Sequence, residues 1–184
     1  MNLSYELRIP KERIAVLIGT DGETKKQLES DLGIKILIDS KEGDVTVIGD
    51  DAVQLYTGRE IVRAIARGFN PQLALLLLKQ DYAFELIDLS DYVKNANHMQ
   101  RLKGRVIGTE GKSRRLIEES TESYISVYGK TVGIIAPIET ITIAKQSIHS
   151  LLSGSPHSSV YKWLEKKRRE IKRSRVLGTE STSF

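Results

Sequence analysis

The sequence predicts an α+β chain of two β-α-α-β-β-α units followed by an extra C-terminal helix, and three observations predict it. The pentapeptide Ile18-Gly19-Thr20-Asp21-Gly22 returns 89 positions later as Ile107-Gly108-Thr109-Glu110-Gly111. The match holds beyond the glycines at the same offset, pairing Lys25 and Lys26 with Arg114 and Arg115, Leu28 with Ile117, Glu29 with Glu118, Ile36 with Ile125, and Ile38 with Val127. In both copies an apolar run ends at the first glycine, a helical pattern starts after the second, and an alternating strand follows. Self-similarity of this extent marks a duplicated unit.

The first copy occupies residues 1–79. Residues 5–9 alternate as a strand, and Pro10, with its fixed φ and missing N–H, suits a helix start. Residues 14–18 are the apolar end of that short helix. Gly22 opens a second helix to about residue 32, closed by Gly33 as a left-handed cap. Ile34, Ile36 and Ile38 mark a strand, 41–44 a turn, and 45–48 another strand. Asp50 or Asp51 caps the next helix, which runs to about residue 67. Gly68-Phe69-Asn70-Pro71 breaks it, and the leucines of 73–78 suggest a short apolar helix.

The second copy occupies residues 80–156. Its strand falls at 82–89, with Asp91 as a candidate cap for the segment leading to Asn95. Helices follow at 100–107 and 112–120. Strands at 124–128 and 132–136 turn at Gly129-Lys130, two residues tighter than the first hairpin. A closing helix at 138–152 is stopped by Ser153-Gly154-Ser155-Pro156. A basic helix is expected at 157–176, with Val160, Trp163, Leu164 and Ile171 on one face and Trp163 packing there. Residues 177–184 read as a frayed tail.

Composition narrows the class. The chain has no cysteine, which removes disulfides and thiolate metal sites and agrees with a reducing, cytoplasmic setting. No leader-like segment opens it, and its longest apolar stretch, residues 73–78, is too short to span a bilayer. Residues 1–79 hold eleven Lys/Arg against twelve Asp/Glu, a net of −1, whereas residues 80–184 hold seventeen against twelve, a net of +5. A polyanion should therefore prefer the second copy. His98, His149 and His157 lack metal-ligand spacing, no carboxylates form a convincing acid/base pair, and neither loop ends in the Lys-Ser/Thr of a nucleotide-binding P-loop. Neither catalysis, a metal nor a cofactor is expected.

A Gly-x-x-Gly bend lets the backbone approach a ligand without Cβ interference, and the helix after it offers unpaired N–H groups to a phosphate. The arrangement resembles the KH domain, whose Gly-x-x-Gly loop clamps about four single-stranded nucleotides. The segments Arg101-Leu102-Lys103-Gly104-Arg105-Val106-Ile107-Gly108, Ile125-Ser126-Val127-Tyr128-Gly129-Lys130-Thr131-Val132 and His157-Ser158-Ser159-Val160-Tyr161 resemble the Partner-of-Nob family of two-KH ribosome-assembly factors, in its compact archaeal form. That resemblance implies a three-stranded antiparallel sheet in each unit. It also implies binding near the 3′ end of small-subunit ribosomal RNA and contact with a Nob-type endonuclease.

Carried onto this chain, the resemblance implies an RNA groove formed by Arg105, Val106 and Ile107, the loop Gly108, Thr109, Glu110 and Gly111, then Lys112, Arg114 and Arg115, the strand Ile125, Ser126 and Val127, and Lys130. The amides of Gly108, Thr109 and Gly111 would hold phosphate. A carboxylate within about 4 Å of a phosphate is repelled by roughly 1 kcal/mol even in water, so Glu110 should point away. The first loop, Gly19, Thr20, Asp21 and Gly22 with Lys25 and Lys26, has Glu23 where the second has Lys112. It is left open as a second RNA site or a protein-docking site, with a translation initiation factor as one candidate. The run Lys166, Lys167, Arg168 and Arg169, continued by Lys172, Arg173 and Arg175, reads as a solvated face, a phosphate track or, least well, a membrane-surface patch. The alternative to RNA binding is an adaptor for a nuclease or translation factor.

Overall fold

A computed structural model of the chain describes residues 3–180, and it divides into two compact units between Phe84 and Glu85. The first unit opens with β1 (Leu3–Arg8) and α1 (Lys11–Ile18), crosses the glycine bend, and continues through α2 (Glu23–Leu32), β2 (Lys35–Asp39), β3 (Asp44–Gly49) and α3 (Ala52–Ala66). Its sheet has the order β1-β3-β2 and is antiparallel throughout. Strand alternation turns Ile36, Val45 and Val47 inward under the helices, where Leu17, Leu28, Ile61 and Ile65 meet them. Asp51 caps α3 by accepting from the amides of Val53 and Gln54. Gly33 closes α2 at φ +61°, as its type requires. A short helix α4 (Pro71–Ala74), capped by Asn70, follows and tightens into a 3₁₀ turn over Leu75–Leu78.

The second sheet has the order β4-β6-β5, formed by β4 (Tyr82–Asp88), β5 (Tyr124–Tyr128) and β6 (Thr131–Pro137). Its helices are α5 (Ala96–Ile107), α6 (Lys112–Thr121), α7 (Ile138–Leu152) and α8 (His157–Glu180). Ile36 faces Val47 and Ile38 faces Val45 in the first sheet; Ile125 faces Ile134 and Val127 faces Val132 in the second. Register is therefore conserved across a hairpin that lost two residues, which is possible because removing an even number keeps every side chain on its own face. Leu102, Val106, Ile117, Ile134, Ile148 and Leu151 fill this core.

Three local expectations change. The first helix of the second copy begins at Ala96 rather than residue 100, because Asn95 caps it by accepting from the His98 amide, and Asp88 rather than Asp91 caps the short turn before it. The C-terminal helix does not fray at residue 177. It continues to Glu180, tethered near its end by Arg175, which donates to Glu122 at 2.6 Å and Glu139 at 3.1 Å. Glu122, and then Glu139, stabilise the charged guanidinium and hold its pKa above that of an ordinary arginine. Residues 181–184 of the expected tail lie outside the described residues. Trp163 is only half-buried; Val160 and Leu164 seat α8 on the unit, and Lys167 lies 5.9 Å from the Trp163 ring centroid.

Candidate nucleic-acid interface

The two glycine bends share one backbone. Gly19, Asp21 and Gly22 have φ/ψ of 75/175°, 52/23° and 76/14°, and Gly108, Glu110 and Gly111 have 74/172°, 53/28° and 73/15°. The first glycine lies in a region essentially closed to L side chains. A Cβ on Gly108 would sit 2.7 Å from both the Cβ and the amide nitrogen of Ser113. The non-glycine residue of each bend is left-handed, and a cation five residues on secures its carbonyl: Lys26 Nζ donates to Asp21 O at 3.1 Å, and Arg115 donates to Glu110 O at 2.9 Å.

Which amides remain for a ligand follows from the hydrogen bonds. Gly108 donates to Gly104 O and Gly111 to Gly108 O, so two of the three amides expected to hold phosphate are already committed to the bend. Thr109 and Glu110 keep theirs, both residues are exposed, and no side chain caps α6. The anion-accepting edge is therefore the tip of the loop together with the uncapped helix start. Lys112 is exposed beside it and Arg114 is half-buried with an unpaired Nε, while Ser113 Oγ is buried without a partner.

Burial divides the residues that the resemblance places in the groove. Ile107 and Val127 are half-buried and present apolar surface, whereas Val106 is fully buried and Ile125 is 5% exposed, so both belong to the core. Ser126 alternates to the opposite face of the sheet from Ile125 and Val127. Lys130 stands exposed at the hairpin tip. Glu118 reaches across from α6 to accept the Ile125 amide at 2.8 Å, and Glu29 accepts the Ile36 amide at the same distance in the first unit. Each glutamate blocks one position on the open strand edge, and by the two-residue alternation the next outward-facing amide is that of Val127. The paired acids at one offset were the signal for this contact.

Arg105 commits its guanidinium inside the unit. Its guanidinium donates to Leu151 O at 2.8 Å and Ser155 O at 2.6 Å, closing the C-terminal end of α7, and His157 Nε2 contacts Arg105 O at 2.9 Å. Arg13 does the same in the first unit, donating to Ile65 O and Phe69 O. Because Arg13 aligns with Leu102 and not with Arg105, the repeat gave no sign of this shared device. Hydrogen bonds from a charged donor contribute about 1.5–3 kcal/mol each. Arg105→Met should therefore lower the melting temperature clearly; an unchanged melting temperature would show that these two bonds do not hold the end of α7.

In the first unit, Ile18, Gly22, Lys25, Lys26, Glu29 and Ile38 enclose a groove of about 410 Å³. Lys25 lies 3.8 Å from Glu29, and Asp21 and Glu23, the chain neighbours of Gly22, are exposed. On α8, Lys166, Arg168, Arg169, Lys172 and Arg173 are exposed, while Lys167 pairs with Glu170 at 3.1 Å. His157 lies near the loop end of α5 and Arg175 near the far end of α6, so α8 runs along α6 away from the bend. At 1.5 Å per residue its basic run begins roughly 14 Å along that path. Among the described residues, no group of three or more histidine or acidic side chains could hold a metal ion, and no helix is long and apolar enough to cross a membrane.

Two family models match the chain. Residues 83–169 match the family described as the eukaryotic-type KH domain, type I, and residues 4–64 match the KH domain. A KH domain-containing protein of Methanocaldococcus jannaschii is 49% identical over 173 residues, spanning 92% of this chain and 76% of that protein. A pre-rRNA-processing protein, pno1, of Aspergillus fumigatus is 32% identical over 120 residues; the match covers 63% of this chain and 47% of that protein, under half its length. A chain in the crystal structure of an a/eIF2alpha-aDim2p-rRNA complex from Pyrococcus horikoshii OT3 superposes with a TM-score of 0.86 and 42% identity, covering 92% of this chain and 96% of that one.

Proposed function

From the premise that the chain belongs to the Partner-of-Nob family of two-KH proteins, we propose that it is a non-catalytic binder of single-stranded small-subunit ribosomal RNA, acting near the 3′ end of that RNA in cytoplasmic assembly of the subunit and assisting its maturation. One observation carries the reading: the second bend offers the amides of Thr109 and Glu110 and an uncapped helix start beside the apolar pair Ile107 and Val127. A phosphate meets the amides, and base faces meet the apolar wall. Lys112 and Arg114 add positive charge, and Arg115 fixes the loop carbonyl while contributing its own. The basic face of α8 then serves as a phosphate track for RNA leaving the groove, about two nucleotides beyond the bend.

The first unit has a different task in this reading. With Asp21 and Glu23 at its loop and Lys25 shared with Glu29, it repels a polyanion where the second unit attracts one. A protein partner suits it better, and the complex of the similar Pyrococcus chain with a translation factor and rRNA supports a translation initiation factor in that role. A Nob-type endonuclease is the second partner. A purely adaptor protein, with RNA carried by its partner, is the competing reading.

Salt titration separates the two. For three phosphates neutralised on a single strand, log K should fall against log salt with a slope of about −2. Binding to a single-stranded 3′ small-subunit rRNA oligonucleotide should also exceed binding to a duplex of equal length. A slope near zero, or equal affinity for strand and duplex, would favour the adaptor.

A further inference from the structure

We infer that the nucleotide track of the second unit continues past the four-nucleotide groove into a lysine-lined cleft at the far end of α5. This rests on the RNA-binding reading of the bend, and it assigns ligand contacts to Lys94 and Lys103. The cleft has a volume of about 600 Å³, and its walls include Val93, Lys94, Met99, Gln100, Lys103 and Lys130. Three of its lining residues are lysines, and no carboxylate lines it. Single lysines on a surface are ordinary; three converging on one concavity with no acid to neutralise them suit an anion.

The cleft joins the groove by helix geometry. Met99, Lys103 and Ile107 are four residues apart, so they share one face of α5 and form a wall about 12 Å long from the cleft to the bend. Across from that wall, β5 carries Val127 toward the hairpin tip at Gly129 and Lys130. A strand gripped at the bend and laid against Ile107 and Val127 meets this cleft next. A length of 12 Å corresponds to about two nucleotide repeats. Val93 and the Met99 thioether, both half-buried, give a base an apolar seat, while the lysines meet the flanking phosphates.

One wall of the cleft is built by residues the first unit lacks. Two residues separate β1 from the eight-residue α1, but seven, 89–95, separate β4 from the twelve-residue α5. That longer connector is held in place. Asp88 accepts the Ser90 amide at 2.8 Å, Leu89 is fully buried and donates its amide to Lys130 O at 2.8 Å, and Asn95 accepts the His98 amide at 2.9 Å. The Leu89–Lys130 bond ties the connector to the hairpin tip, so both walls of the cleft are fixed relative to each other.

The test compares a tetranucleotide and an octanucleotide of 3′ small-subunit rRNA sequence, the longer one extended either 5′ or 3′ of the same four bases. The octanucleotide that extends into the cleft should bind about tenfold tighter than the tetranucleotide, with a salt slope steeper by about 1.4 for two further phosphates, while any gain of the other, which leaves toward α8, should not depend on Lys94 or Lys103. Lys94→Ser with Lys103→Ser, the first position exposed and the second half-buried, should erase the gain and the added slope of the cleft-directed octanucleotide and leave tetranucleotide affinity as it was. Thiouridine placed in the extension should crosslink to the peptide holding Met99 and Gln100. If the variant keeps the gain in both extensions, or loses tetranucleotide binding by the same factor, the cleft is not on the RNA path. If the tetranucleotide is indifferent to Thr109→Asp with Glu110→Asp, the reading of the bend fails instead, separately from the cleft.

Discussion

Thr109→Asp combined with Glu110→Asp is expected to weaken single-stranded RNA binding by roughly fivefold to several hundredfold while the chain melts where it did before. Position 109 carries one of the two uncommitted amides of the bend, so a carboxylate there sits on the edge a phosphate must approach. Two unit charges about 4 Å apart repel by ~1 kcal/mol in bulk water and ~4 kcal/mol at a partly screened protein surface, which brackets the loss. Stability should hold because both positions are exposed and because aspartate tolerates the left-handed conformation of Glu110 at φ +53°. Adding the matching charge to the first loop, Thr20→Asp beside the existing Asp21, should change affinity less than about threefold. Equal losses from the two loops, measured by fluorescence anisotropy on one labelled oligonucleotide, would end the division of labour between the units.

Gly108→Ala should damage the fold itself, and Gly111→Ala should not do so comparably. At φ +74° and ψ 172° an alanine pays about 1–3 kcal/mol in backbone strain, and its Cβ would lie 2.7 Å from the Ser113 amide nitrogen, which belongs to α6 and cannot turn aside. Gly111 is also left-handed, but a Cβ there meets nothing within 4 Å, leaving only the ~1 kcal/mol of a single left-handed residue. A kilocalorie shifts the melting temperature of a domain this size by roughly 4–8 °C, so the first variant should fall by about 10 °C or more and the second by about half of that or less. Ser113→Gly should not rescue Gly108→Ala, since the backbone nitrogen stays where it was. Identical melting of the two alanine variants would refute the close approach at Gly108.

Much of this was legible in the residues because the chain states its pattern twice. One offset of 89 fixed both bends, both post-loop helices and both inner strand faces, and the shortened hairpin was readable from the reset to Val132. What escaped was long-range. Arg105 looks like an interface cation beside the glycine, but its partners Leu151 and Ser155 lie 46 and 50 residues away, and nothing local marks a side chain that closes a distant helix. Val106 was separable in principle, since Leu102 and Val106 are four apart and form the buried stripe, leaving Ile107 outside it. The cleft at Lys94 and Lys103 was hidden because it depends on a connector with no counterpart in the first copy. The contact of Arg175 with Glu122 and Glu139 near the end of α8 was equally long-range, 53 and 36 residues away.

The torsions of the two bends agree within a few degrees although their side chains differ in charge, so the backbone of the bend is indifferent to the charge it carries in this duplicated chain. Such a scaffold lets one copy drift toward new company by exchanging surface residues such as Glu23 for Lys112, without passing through any unfolded or half-built ancestor. The innovation lies on the exterior, and the inherited architecture beneath it stays silent.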